Sequence, residues 1–293
     1  MPMGPPRLIF VTGKGGTGKS TVAAALALAL ARRRRTTLAD LDRRQSAARL
    51  VAEAGGAAGG GGALETLALT PRAELEAFIH RIVPLRAISN RMLRSRTFGY
   101  VTAALPGLEA FLMLERLRLL AGTAALEDRY AVIDAPATGH ALELLAVARG
   151  LRGLAPVGTL NRLAVGVEEF LADENRFGAI LTLAPEELAL RETLAAAAAL
   201  RNEMRVGWIA AALNCAAAPL FTTAEIAALE AYPEHARIAE TRRRAGRFAA
   251  DARRALERAG LRVIELPMVF AAELGADALA TLGRRLEAEL APR

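Results

Sequence analysis

Two lysines occur in the chain, Lys14 and Lys19, and both fall within Gly13-Lys14-Gly15-Gly16-Thr17-Gly18-Lys19-Ser20-Thr21. Of the 38 Lys and Arg residues all others are arginine, so a compact ammonium in place of a planar guanidinium fork is kept for this stretch alone. The apolar run Leu8-Ile9-Phe10-Val11 precedes it and an alanine- and leucine-rich helical stretch, Lys19 to Ala31, follows. A G-x-x-x-x-G-K-S segment between a strand and a helix reads as a phosphate-binding loop. Glycines at 13, 15, 16 and 18 would let the backbone turn with positive φ and aim successive N–H groups at a phosphate. The helix N-terminus adds partial positive charge. Lys19 is placed for the β- and γ-phosphates and the Ser20 hydroxyl for Mg²⁺. Gly13, Gly15, Gly16, Thr17, Gly18, Lys19, Ser20 and Thr21 form the expected binding set.

Two further acidic positions fit the same chemistry. Asp40 and Asp42 stand i, i+2 at the end of the apolar Thr36–Ala39 stretch, at the edge where open α/β sheets bind ligands. Either could orient a water beside a γ-phosphate, Asp42 before Asp40; the other reading is a pair of carboxylates capping the next helix. Asp134 closes a second apolar strand, Tyr130–Asp134, where an acidic residue holds the magnesium shell through water.

The elements that would position these residues alternate. Strand-like runs near Leu8–Thr12, Thr36–Ala39, Tyr130–Asp134, Ala179–Leu183, Gly207–Leu213 and Arg262–Leu266 are separated by long helical stretches. That is the pattern of an α/β, doubly wound, mostly parallel sheet covered on both faces. Leu64–Leu69 reads as an extra edge strand and Ala54–Ala63 as a Gly/Ala-rich loop. Leu75–Ala121 lacks a buried-strand pattern and reads as several amphipathic helices, so the chain is expected to be one domain, 1–293, with a helical subdomain inserted over 70–125.

At 293 residues and 53% hydrophobic the chain can bury a large core, but with 4% aromatic residues it has few stacking platforms for nucleic acid despite a net charge of +7. Arg32–Arg35 would meet the end of the first helix. Arg242-Arg243-Arg244, with Arg247, Arg253 and Arg254, reads either as a solvated helix face or as a patch for an anionic surface. One cysteine, Cys215, excludes an internal disulfide and a Cys₄ or iron–sulfur site, and is most simply a small core residue at a strand end; His80, His140 and His235 share no metal spacing. The longest apolar run, Val22 to Ala31, is far below the ~20 residues that cross a bilayer. A strand begins within a few residues of the N-terminus, so no signal peptide and a cytoplasmic location are expected.

Lys14, directly after the first glycine, makes the loop resemble the deviant K-G-G-x-G-K-[ST] loop of a superfamily. Its members include septum-site and chromosome-partition ATPases, nitrogenase iron protein, arsenite-pump ATPases and the tail-anchored-protein targeting ATPase. The resemblance implies an ATPase using ATP and Mg²⁺, with Lys14 reaching across a dimer interface to the partner's nucleotide. Asp134-Ala135-Pro136-Ala137-Thr138-Gly139-His140 resembles the switch II, D-x-x-P-T-G-H, of the arsenite-pump and tail-anchored-targeting branch, with the proline one residue early. By this likeness Asp40 and Asp42 lie in switch I, Thr138 and Gly139 report the γ-phosphate, and His140 is either a latch or a polar helix-start residue. Asn214, Pro267 and Met268 fall where that branch holds adenine; an Asn amide can pair with adenine's donor and acceptor edge. Arg44-Gln45, Gly158 and the Thr182–Thr193 stretch (Leu183-Ala184-Pro185-Glu186-Glu187, then Glu192-Thr193) also resemble a bacterial subgroup of the anion-transporting ATPase family, in which a homodimer or a heterodimer of related ATPases is conceivable.

Missing residues exclude some of the superfamily's cargoes. A lone thiol cannot bind arsenite, and without C-x-x-C no zinc bridges the subunits. The 75–121 region, with residues such as Phe78, Met92, Phe98, Val101, Leu105, Phe111, Met113 and Leu117, either forms a groove for a client hydrophobic helix or membrane protein, or packs on the core; spacing does not separate these. Three functions stand: a nucleotide switch handling hydrophobic segments or a membrane-associated partner; a partition or septum-site type ATPase on DNA or membrane surfaces; and a weakly hydrolysing partner in a heterodimer.

Overall fold

Strands that are apolar at every position need cover on both faces, and the chain provides it. The computed structural model describes residues 5–41, 44–55, 63–83, 85–93, 95, 107–122, 129–154, 157–218, 220–270 and 274–290. Among these, seven strands form one sheet: β1 Leu8–Gly13, β2 Arg35–Asp40, β3 Leu64–Ala68, β4 Arg129–Ala137, β5 Phe177–Leu183, β6 Trp208–Ala216 and β7 Arg262–Pro267. Their order is β3-β2-β4-β1-β5-β6-β7, and every pair is parallel, where the sequence pattern predicts a mostly parallel sheet. The Leu64–Leu69 run is the edge strand β3.

Alternation along β1 sorts its side chains. Leu8 and Phe10 join one apolar cluster; Ile9 and Val11 join the other. On the second side lie α1 Lys19–Ala31, α2 Ser46–Glu53 and, near the C-terminus, a helix over Ala276–Leu290. The first side is covered by α3 Pro71–Ile82, α4 Arg86–Leu93, α5 Leu108–Leu120, α6 Thr138–Leu154, α7 Thr159–Ala172 and α8 Glu187–Asn202, together with a 26-residue helix over Pro233–Arg258. With the short α9 Thr223–Ala227 between them, the Pro233–Arg258 and Ala276–Leu290 helices are α10 and α11. Helix α1 is buried from Val22 through Leu26 and Ala31, held between the sheet and α11, which explains its uniformly apolar sequence.

Parallel strands end together, so Gly13, Asp40, Ala137, Leu183, Ala216 and Pro267 share one edge of the sheet. Three strands run further than their sequence patterns predict. β4 continues past Asp134 to Ala137 with its register against β1 shifting after Val11, and α6 begins at the next residue. β6 continues through Asn214 and Cys215 to Ala216, and β7 takes in Pro267. Cys215 is half-buried, with a φ of 56° where β6 breaks register with β7, so it is not the simple core residue expected.

Between β3 and β4, α3 begins at Pro71 after Thr70, whose hydroxyl accepts from the Ala73 N–H at 3.3 Å. Leu75, Ile79, Phe111, Leu112, Met113, Leu114 and Leu117 are buried in the same cluster as Leu8 and Phe10. The described apolar residues of this region thus pack mainly on the core; Phe98, Val101 and Leu105 lie outside the described residues. On α10, Glu240 accepts from both Arg243 and Arg244, at 2.7 and 2.8 Å, and is drawn down to about 2 by those bonds. Arg253 pairs with Glu257 at 2.8 Å. With Arg254 paired to Asp251, four of the cluster's six arginines meet carboxylates on their own helix, as on a solvated face. No helix among the described residues is long and apolar enough to cross a membrane, and no group of three or more metal-ligating His, Cys, Asp or Glu occurs among them.

Leu114→Ala removes a fully buried side chain from α5. It is expected to lower the free energy of unfolding by about 2–5 kcal/mol. Urea denaturation checks this; an unchanged midpoint would mean that α5 lines a surface groove instead of the core.

Candidate functional site

The segment from Gly13 to Lys19 lies against the ends of β5 and β6, and its residue types follow from how close those strands come. A Cβ on Gly13 would lie 2.1 Å from the Thr182 carbonyl oxygen. Gly18 has a φ of 88°, and a Cβ there would lie 2.3 Å from Asn214 Nδ2. Gly16 also has positive φ; Gly15 does not, so the expectation of positive φ at all four glycines fails there. Its side of the loop is open, and Gly15 and Gly16 are exposed where a phosphate would approach.

The turn is closed from inside. Thr17 donates from its hydroxyl to the Lys14 carbonyl at 2.8 Å, and Lys19 Nζ donates to the same oxygen at 3.3 Å. Lys19 therefore rests on the inner side of the loop, at the start of α1. Lys14 turns outward: its Nζ lies 3.4 Å from Glu192 Oε1 of α8, and both side chains are partly exposed. Ser20 and Thr21 are half-buried in the first turn of α1.

Asp134 sits under this turn, opposite Val11 of β1 and Asp40 of β2, and is 3% exposed. Burial pushes its pKa up to about 7 and the Asp40 carboxylate adds to the rise, against a hydrogen bond from Ser20 and the charge of Lys19. Its Oδ1 is buried without a hydrogen-bond partner. A buried carboxylate oxygen with no donor, beside a hydroxyl and a second carboxylate, is a hard-oxygen set that fits Mg²⁺. Ser20 and Asp134 are the residues that would hold the ion, which would supply positive charge beside the phosphates.

Of the two readings for the paired carboxylates, Asp40 takes the capping one: its oxygens accept from the N–H groups of Ala47 at 3.3 Å and Ala48 at 3.0 Å, in the first turn of α2. Asp42 lies outside the described residues. In the switch II segment, Thr12 donates to the Pro136 carbonyl at 2.8 Å, Thr138 opens α6 half-buried, and Gly139 and His140 are exposed. His140 points to solvent beside Glu143, 3.3 Å away, as a helix-start residue does.

Asn214 is brought to the loop, where Nδ2 donates to the Thr17 carbonyl at 3.0 Å. Its second N–H and its carbonyl oxygen extend beyond that bond. Pro267 pairs with Ala216 at the same sheet edge, and Met268 follows it, 42% exposed. Two residues to which the sequence reading gave no role at the loop, Thr12 as a strand end and Thr182 as the start of a family-like stretch, are buried polar groups in contact with it. Their signal was a hydroxyl inside an otherwise apolar run, Leu181-Thr182-Leu183 and Phe10-Val11-Thr12.

Comparison with known proteins matches this geometry. The model described as CobQ/CobB/MinD/ParA nucleotide binding domain matches residues 8–210, which run from β1 into β6 and include the loop, Asp40, Asp134 and Thr182. The chain belongs to this family of nucleotide-binding domains. Among its relatives are the ATPase BagA of Mycobacterium tuberculosis and a Mycobacterium bovis protein named as a supposed ATPase. Each is 32% identical over 210 residues, covering 65% of this chain and 59% of the relative. The chain thus spans about 59% of the length of the curated relatives it matches.

The raised pKa has a definite sign. A carboxyl whose folded pKa, about 7, exceeds its unfolded value of 3.8 stabilises the fold fully only below about pH 4, and that contribution is lost as pH rises to about 7. Asp134→Asn removes the dependence, so without nucleotide the variant's stability relative to wild type should climb from about pH 4 to 7 and then level off. The total is up to about 4 kcal/mol. Denaturant melts across that range check it; a difference independent of pH would contradict a carboxyl whose titration is displaced by burial.

Proposed function

We propose that the chain is an ATP-hydrolysing, Mg²⁺-dependent switch of the arsenite-pump and tail-anchored-targeting branch, working as a homodimer or with a related ATPase. The observation that carries the reading is the pair of lysines in the loop. Lys19 is turned inward at the start of α1, and Lys14 lies at the protein surface on a half-exposed ion pair with Glu192. A pair of this kind costs little to break, about 1 kcal/mol or less, so Lys14 is free to exchange Glu192 for the phosphates of a second subunit's nucleotide. The segment Asp134-Ala135-Pro136-Ala137-Thr138-Gly139-His140 supports the choice of branch, and Asn214, Pro267 and Met268 at the sheet edge beside the loop support adenine.

Within that reading Lys19 and the loop amides neutralise and orient the triphosphate. Asp42 orients the attacking water, and Asp134, next to switch II, passes the state of the γ-phosphate through Thr138 and Gly139 to α6. The 70–125 region is an inserted helical subdomain facing a hydrophobic segment or membrane-associated partner. Since its described apolar residues are largely buried, the described part of the client surface rests on Leu85 and Ile88, 67% and 54% exposed.

A second reading is favoured by the family itself, whose description includes MinD and ParA. A partition or septum-site type ATPase would bind DNA or an anionic membrane in an ATP-dependent, salt-sensitive way.

Lys19→Ala is expected to abolish ATP binding. Lys14→Ala is expected to keep binding within about tenfold and lose hydrolysis by at least about a hundredfold, the scale seen when one charge-stabilising donor is removed. Nucleotide titration, steady-state turnover and sedimentation with and without ATP check both. Unchanged affinity in Lys19→Ala removes the loop assignment, and full turnover in Lys14→Ala removes the role across an interface. A wild type that binds ATP and barely turns over would identify the weakly hydrolysing heterodimer partner.

A further inference from the structure

Thr182 is fully buried one residue before the end of β5, between Leu181 and Leu183. A buried hydroxyl needs partners, and both of its partners belong to the phosphate loop or its entry. Thr182 Oγ1 donates to the Thr12 carbonyl at 3.1 Å and lies 2.9 Å from Thr17 Oγ1. Its own carbonyl oxygen is the atom that Gly13 must accommodate. One residue of β5 thus meets the loop at Thr12, Gly13 and Thr17.

Counting protons makes this more than packing. Thr17 and Thr182 bring one hydroxyl proton each to three contacts: Thr17 to the Lys14 carbonyl, Thr182 to the Thr12 carbonyl, and the contact between the two hydroxyls. One of the three is always without a proton. In the structure the Lys14 carbonyl also accepts from Lys19 Nζ at 3.3 Å. If phosphates drew Lys19 away, that carbonyl would keep the Thr17 hydroxyl at 2.8 Å and the Thr17 N–H at 3.4 Å as its donors. The proton of Thr182 is then the one that can reach Thr17 Oγ1 from below. Thr12 lengthens the file, donating to Pro136 in the segment after Asp134.

We propose that Thr182 is a positioning residue for the phosphate loop, its hydroxyl fastening the Lys14–Thr17 turn in the shape that presents the Gly15 and Gly16 amides. The consequence for catalysis rests on the ATPase reading above; the consequence for loop order does not.

Thr182→Val keeps the β-branched shape and removes only the hydroxyl. In the nucleotide-free chain, amide hydrogen exchange at residues 13–19 should speed up about tenfold or more while other β1 and β5 amides stay as in wild type. With ATP, KM should rise about five- to tenfold with kcat changed less than about threefold, and Thr182→Ser should restore both. The inference is overturned by wild-type loop exchange in Thr182→Val, or by a Thr182→Ser variant as defective as Thr182→Val, which would assign the effect to the missing methyl. A wild type that binds no ATP would sink the nucleotide reading alone, and the exchange measurement would still decide the role of Thr182.

Discussion

The close approach of the chain from Gly13 to Lys19 to the ends of two neighbouring strands is the constraint from which the rest of the site follows. The Thr182 carbonyl bars a side chain at 13, and the Asn214 amide bars one at 18 while also donating to the Thr17 carbonyl. Fastened at both ends, the backbone of the turn is held in its shape before any ligand arrives. Preorganisation of this kind lowers the ordering cost of binding. It also explains why strong fasteners come from β5 and β6, the strands beside and beyond β1 in the sheet.

Beneath the loop lies a deliberate imbalance of charge. Asp134 and Asp40 face each other across adjacent strands, both buried, but they are treated differently. Asp40 is satisfied by the first turn of α2, while Asp134 keeps a bare oxygen and a pKa near neutrality. A fold tolerates such a group where a ligand repays the cost. In the switch proposed above, cation and nucleotide binding would couple to this proton, and through the short step from β4 into α6 to the segment after Asp134.

Around this site the sequence pattern and the structure agree on most elements and part company on roles. Continuous apolar runs identified the core strands, because strands buried on both faces must be apolar throughout, while the short run over Leu64–Ala68, largely exposed, pairs only at the sheet's edge. Strand ends were less legible: β4, β6 and β7 each continue into the residues assigned to loops, since pairing with a neighbour extends a strand past its apolar core. Residue type named Asp40, Asp134 and Asn214, but the partner of each was hidden. A capping carboxylate and a switch carboxylate look alike in sequence, and an amide near adenine looks like an amide that pins a loop. For the helices between β3 and β4, periodicity marked an apolar face without saying what covers it; for the described part, the sheet does.

What the sequence determined by itself was the chemistry of the loop and its setting. The glycine spacing, the two lysines and the strand before and helix after are local features, encoded within about 25 consecutive residues. What only the tertiary structure decided was which distant groups hold that loop and which leave it free. Thr17 meets Thr182 across 165 positions and Asn214 across 197. Contacts of such separation depend on strand order, and strand order is set by how all the helices share the two faces of the sheet, a global balance that no local window contains.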